Sequence, residues 1–192
     1  MIASNKNNIT KQQTINRPFS LKGIGLHTGQ IVNMTVEPAV PNNGIKFIRT
    51  DLKKNNIVHA IWSNVSSTNL STTISNDKGT KISTIEHLMS AFSGMHIDNA
   101  NILIDNIEVP IMDGSSFPFV QILENSGIKT QEKDRKIILI KKIIEVYNND
   151  TYTKIIPNDQ FSIDFEIEFA SHLINKQACQ LQLVNGNYKN DI

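Results

Sequence analysis

The 192-residue sequence predicts an α+β fold on three observations. Short runs with strand periodicity fill residues 30–82. Two segments after them switch to the helical period, and beyond residue 135 strand patterning returns with no further helix.

Taken in order, Gln30 to Glu37 alternates, with Val32, Met34 and Val36 on one face and Ile31, Asn33, Thr35 and Glu37 on the other, as in a half-buried strand. Pro38, Pro41 and Asn42-Asn43-Gly44 mark a turn. Strands are expected at Ile45 to Arg49, Ile57 to Trp62 and Leu70 to Ser75, and Asn76-Asp77-Lys78-Gly79 supplies turn chemistry into Thr80 to Ile82. Ile85, Leu88, Met89 and Phe92 then fall at i, i+3, i+4 and i+7, which predicts a helix over Ser83 to Ser93 with Gly94 as its C-terminal cap. A strand follows at Ala100 to Asp105, and a second helix at Ser115 to Asn125, carrying Phe119, Ile122 and Leu123 and closed by Gly127.

Lys129 to Arg135 is polar and charged and reads as a linker between a first domain, 12–128, and a second, 136–192, behind a disordered tip at 1–11. Strands are expected again at Ile137 to Ile140, Ile143 to Tyr147, Thr151 to Ile156 across an Asn148-Asn149-Asp150 turn, Phe161 to Phe169, and Cys179 to Val184. In Phe161 to Phe169 five apolar residues alternate with Ser162, Asp164, Glu166 and Glu168. That apolar face needs a cover, and the second layer is expected to be unfinished.

Bulk properties narrow the function. Nineteen Lys and Arg against 18 Asp and Glu give a net charge of +1, which provides no broad field for nucleic acid or anionic membrane. The single cysteine, Cys179, excludes an internal disulfide and fits a reducing compartment. No segment resembles a signal peptide or approaches the roughly 18 apolar residues of a membrane span, so a soluble, cytoplasmic protein is expected.

Three patches could carry chemistry. In Ser83-Thr84-Ile85-Glu86-His87-Leu88, His87 projects roughly 150° from the centre of the apolar stripe, so it is a solvated histidine or a ligand rather than core. Ser83-x-x-Glu86 also has the form of a capping box. A metal ligand beside a general base at a helix start explains the pair equally well, because neutral imidazole binds zinc and an adjacent carboxylate can take a proton from water. Periodicity does not choose between these readings. Lys22-Gly23-Ile24-Gly25-Leu26-His27-Thr28-Gly29 lacks dinucleotide-loop spacing and precedes a strand, so it reads as a structural turn or a close approach to a ligand. Pro110-Ile111-Met112-Asp113-Gly114-Ser115-Ser116 reads as a loop ending in a helix cap.

In sequence, Gly23-x-Gly25-Leu26-His27-Thr28-Gly29, Arg49-Thr50-Asp51-Leu52, Ser83-Thr84-Ile85-Glu86-His87-Leu88, and Ile107-x-Val109-Pro110-Ile111-Met112-Asp113-Gly114-Ser115 with Pro118-Phe119-Val120 resemble the UDP-3-O-acyl-N-acetylglucosamine deacetylase family. The resemblance runs from about Gln12 onward. It implies two similar domains, each a small β-sheet layered with helices, the second incomplete in this chain. It further implies Zn2+-dependent hydrolysis of the 2-acetamido group of UDP-3-O-acyl-N-acetylglucosamine, releasing acetate at the committed step of lipid A biosynthesis. By the same resemblance His87 is a zinc ligand, Glu86 the general base, and Leu70, Ser71, Thr72 and His27 line the substrate site.

The sequence also departs from that family. The family takes its other zinc ligands from a His-x-x-x-Asp motif and a later histidine, and none of His27, His59, His87, His96 and His172 begins such a motif. The threonine, lysine and later histidine that serve the reaction in relatives are likewise unmatched. The expected zinc site is therefore incomplete and the chain alone is expected to be inactive. Alternative readings are a truncated, non-catalytic remnant and an α+β module that binds a nucleotide sugar through the glycine loop.

Overall fold

A computed structural model describes residues 10–182 and residue 188; of the expected tip, residues 1–9 lie outside the described residues, as does the end of the Cys179 to Val184 run. The described residues divide into two compact units, one reaching Arg135 and one beginning at Lys136. The fold is α+β. No described helix is long and apolar enough to cross a membrane.

The first unit opens with β1 (Lys11–Ile15), β2 (Phe19–Ile24), β3 (Ile31–Pro38), β4 (Ile45–Arg49) and β5 (Ile57–His59). A short 3-10 turn at Trp62–Asn64 stands where the strand from Ile57 was expected to continue. Then come β6 (Val65–Ser67), β7 (Thr73–Ser75), β8 (Lys81–Ile82), α1 (Glu86–Gly94), β9 (Ala100–Ile104), α2 (Phe117–Ser126) and β10 (Ile128–Asp134). The main sheet has the order β2-β3-β9-β4-β5, antiparallel except for β4 beside β9. Parallel neighbours need a long crossover, and here it contains the three-stranded sheet β6-β7-β8 and α1.

Alternation in β3 buries Val32, Met34 and Val36. They share the core with Phe47, Ile102 and Ile104 of the sheet, Leu88, Ala91 and Phe92 of α1, and Phe119, Val120 and Leu123 of α2. Gly127 ends α2 as expected, with φ +74 and its amide bonded back to Leu123 and Glu124.

The expected linker, 129–135, ends where the two units divide, and its residues 129–134 lie in β10, which pairs antiparallel with β1; neither strand was expected. What holds them is polar. Buried Asn99 donates to Gln12 Oε1 at 2.9 Å and to Gln131 Oε1 at 2.7 Å, while Gln12 donates to Asn42 Oδ1 and to the Asp134 carbonyl. Arg135 closes the strand with two bonds of 2.8 Å to Asp98 and a third to the His96 carbonyl. Burying amides is tolerable only when each finds a partner, and this seam supplies them.

The second unit shows two hairpins. β11 (Ile144–Asn148) pairs with β12 (Thr151–Ile155) across the expected turn, with Tyr147 stacked on Tyr152. β13 (Ser162–Glu168) pairs in full register with β14 (Lys176–Gln182). Ile137 to Ile140, expected as a strand, has no regular structure. The alternation in β13 is as expected, yet Ile163, Phe165 and Ile167 are exposed at 42%, 59% and 38%.

Candidate functional site

The start of α1 differs from the expected capping box. Ser83 is held as an extended residue, its amide donating to the Ile107 carbonyl at 2.8 Å and its carbonyl accepting from the Val109 amide at 3.1 Å. Thr84 then takes φ +56, a conformation that cannot continue a right-handed helix, so the first helical residue is Glu86. The N-cap position falls to Ile85, with no side-chain cap bond. Ser83 Oγ instead donates to the Ile107 carbonyl. At the other end Gly94 is the last helical residue rather than the cap, and His96, at φ +60, takes the left-handed turn.

Freed from capping, the Glu86 carboxylate accepts a hydrogen bond from the Thr72 amide at 3.0 Å. The carboxylate thus lies against the expected Leu70-Ser71-Thr72 segment. Glu86 and the adjacent His87 are both half-buried; Glu86 lies across α1 from buried Leu88, and His87 lies on the flank one turn before Ala91.

The glycine loop is tied to the same place through a residue that sequence reasoning passed over. Glu108 is fully buried. Its two oxygens accept the amides of His27 at 3.0 Å and Thr28 at 2.9 Å, and the Thr84 hydroxyl donates to it at 2.8 Å. Burial pushes this carboxyl up, but the amides of His27 and Thr28 and the hydroxyls of Thr28 and Thr84 outweigh burial and leave it below its ordinary value. Gly25 has to be glycine, because a Cβ there would sit 2.4 Å from Glu108 Oε2. At Gly23 a Cβ would meet Pro110 at 2.7 Å, so the glycine loop also packs on the Ile107 to Ser115 segment. The available signal for Glu108 was one carboxylate between apolar neighbours, Ile107 and Val109.

That segment flanks the imidazole. Asp113 accepts from the amide and hydroxyl of Ser115, both at 2.9 Å, and these bonds, with a smaller contribution from the His87 charge, hold its carboxyl below the usual range. Ser115 Oγ in turn accepts the Phe117 amide, while the N-cap position of α2 falls to Ser116, which makes no side-chain cap bond, so the expected side-chain cap is not formed. Arg49 of the second motif bridges Asp51 and the Lys81 carbonyl, anchoring the approach to Ser83. Three non-glycine residues in these patches, Leu70, Thr84 and Met112, have positive φ. Such strain persists only where surrounding contacts impose it, and it gathers at functional sites.

Of the expected site residues, Glu86 meets the 70–72 segment by the Thr72 bond, and His27 joins through its backbone while its side chain stays exposed. Leu70 is 83% exposed and Ser71 half-buried. His96 lies apart, beside Arg135. A catalytic zinc takes about three protein ligands. Among the described residues no three His, Cys, Asp or Glu side chains are grouped to hold a metal ion. Of the ligand set that the resemblance implies, the described residues contain His87 alone.

Fold and site together define an α+β protein that presents a carboxylate and an imidazole at a helix start, against a strained segment and a glycine loop. Comparison with known proteins gives the family. The family profile described as UDP-3-O-acyl N-acetylglycosamine deacetylase matches residues 12–192. Proteins named UDP-3-O-acyl-N-acetylglucosamine deacetylase from Syntrophus aciditrophicus and Methylococcus capsulatus are 41% and 43% identical, over 94% and 88% of this chain. The chain spans 57% and 55% of their respective lengths. The chain belongs to the UDP-3-O-acyl-N-acetylglucosamine deacetylase family.

Proposed function

We propose that this chain carries the general base and one metal ligand of a zinc-dependent deacetylase that acts on UDP-3-O-acyl-N-acetylglucosamine in lipid A biosynthesis. The observation that carries the reading is the Glu86 carboxylate, turned out of its own helix onto the Thr72 amide and adjacent in sequence to half-buried His87. The family membership and the relatives' names support it.

In this reading His87 is one zinc ligand, and zinc, when bound, supplies Lewis acidity to the acetamido carbonyl and to water. Glu86 takes a proton from the attacking water as the new C–O bond forms. It returns that proton to the amine nitrogen as the C–N bond breaks, leaving a neutral 2-amino sugar and acetic acid, and the acid then gives its proton up to yield acetate and the ammonium form of the amine. The Thr72 amide orients the carboxylate for both transfers. Leu70, Ser71, Thr72 and His27 border the space the sugar would occupy.

Two experiments test this. In the full-length protein, Glu86→Gln should lower the rate of acetate release by about 10²- to 10⁴-fold while bound zinc is retained. Unchanged turnover would remove Glu86 from the base role. For the 192-residue chain by itself, a single imidazole should give only weak zinc binding and no acetate release; tight 1:1 binding with turnover would show that ligands within the chain complete the site.

A further inference from the structure

One buried carboxylate joins two chain segments that the proposed chemistry uses, yet takes no part in that chemistry itself. Glu108 receives the amides of His27 and Thr28, and the hydroxyl of Thr84, at 2.8–3.0 Å. We propose that Glu108 is a positioning residue: it locks the His27 loop and Thr84 into one register and so fixes where Glu86 and His87 face the substrate. The proposal rests on the deacetylase reading.

The physical case comes from what these bonds must offset. A carboxylate removed from water is costly unless several donors remain aimed at it. The donors are all neutral, and two of them are backbone amides of fixed direction, so a shift of the His27 loop forfeits bonds to the charge. Thr84 shows what this geometry holds in place. It is β-branched and buried, keeps φ +56, and stands two residues before Glu86. Its backbone conformation sets the direction in which α1 starts. The carboxylate fits against the loop because position 25 has no side chain: Oε2 and the Thr28 hydroxyl occupy the space where a Cβ would stand.

The test uses the full-length protein with Glu108→Gln and, as a milder change that keeps side-chain shape, Thr84→Val. Amide hydrogen exchange is measured along the chain, and kcat and KM for acetate release beside it. Glu108→Gln should speed exchange about tenfold or more at residues 26–30 and 84–88 while β3, β4 and β9 keep theirs. It should lower kcat about 10- to 100-fold with KM changed less than about threefold. Thr84→Val should act in the same direction and less. An active wild type whose two variants keep both exchange and kcat overturns the positioning role alone. Exchange that rises evenly through the first unit, with activity lost in proportion to unfolding, also overturns it, because that is the signature of a residue serving stability only. A wild type that releases no acetate overturns the functional reading instead, and the positioning role falls with it.

Discussion

β3 and β13 carry the same alternating pattern and end in opposite environments. In β3, Val32, Met34 and Val36 are at 0–1% exposure; in β13, Ile163, Phe165 and Ile167 are at 38–59%. Period-two alternation therefore specifies that a face exists, and the elements packed on that face decide whether it is buried. The first unit brings helical apolar residues into its core with β3, whereas the strands described in the second form two hairpins whose apolar faces are exposed. The catalytic residues proposed above all come from the first unit, where a packed core can hold side chains in fixed directions.

The largest expected effect separates the two units directly. Phe47→Ala, at a fully buried position, should cost about 3–5 kcal/mol in urea unfolding, while Phe165→Ala should change it by less than about 0.5 kcal/mol. Equal losses would break the contrast, since they would mean that β13 is packed as firmly as β4.

A smaller effect sharpens where the first unit ends. Arg135→Ala removes two bonds to half-exposed Asp98 and one to the His96 carbonyl, and should lower stability by about 1.5–3 kcal/mol. A change under about 0.5 kcal/mol would return residues 129–135 to the role of a connector.

The smallest effect is one of pH. Because the Glu108 carboxyl is held below its ordinary value, it binds a proton less readily folded than unfolded, and its stabilisation is complete above the ordinary value of 4.5. As pH falls below 4.5 toward the folded value, that contribution is lost. Protection of the amides at residues 26–28, taken relative to their intrinsic exchange at each pH, should fall over this acid range in the wild type, and Glu108→Gln should remove the dependence. A wild-type profile that the variant reproduces would place the titration elsewhere.

Much of the fold was legible because apolar spacing encodes it: β3, β4, β9 and both helices follow from runs such as Val32, Met34, Val36 and Ile85, Leu88, Met89, Phe92. What was illegible is polar. β1 buries Gln12 and Thr14, and β10 is pinned through Gln131 and Arg135, so a search for apolar periodicity finds nothing in either. The start of α1 was misjudged because Ser83 bonds to Ile107 and Val109, partners that sequence spacing does not contain. For the site, Glu86 and His87 were readable as a pair but their use was not. The choice between helix cap and outward-facing carboxylate depends on Thr84 turning left-handed, which is imposed by long-range contacts.

The central claim is that Glu86 faces substrate beside His87, and trapping an uncleaved substrate tests it most directly. In crystals of the full-length protein carrying Glu86→Gln, soaked with UDP-3-O-acyl-N-acetylglucosamine, the acetamido carbonyl should lie within about 3 Å of the side chain at position 86, directly or through one water. A substrate bound with its acetamido group remote from positions 72, 86 and 87 would contradict the account.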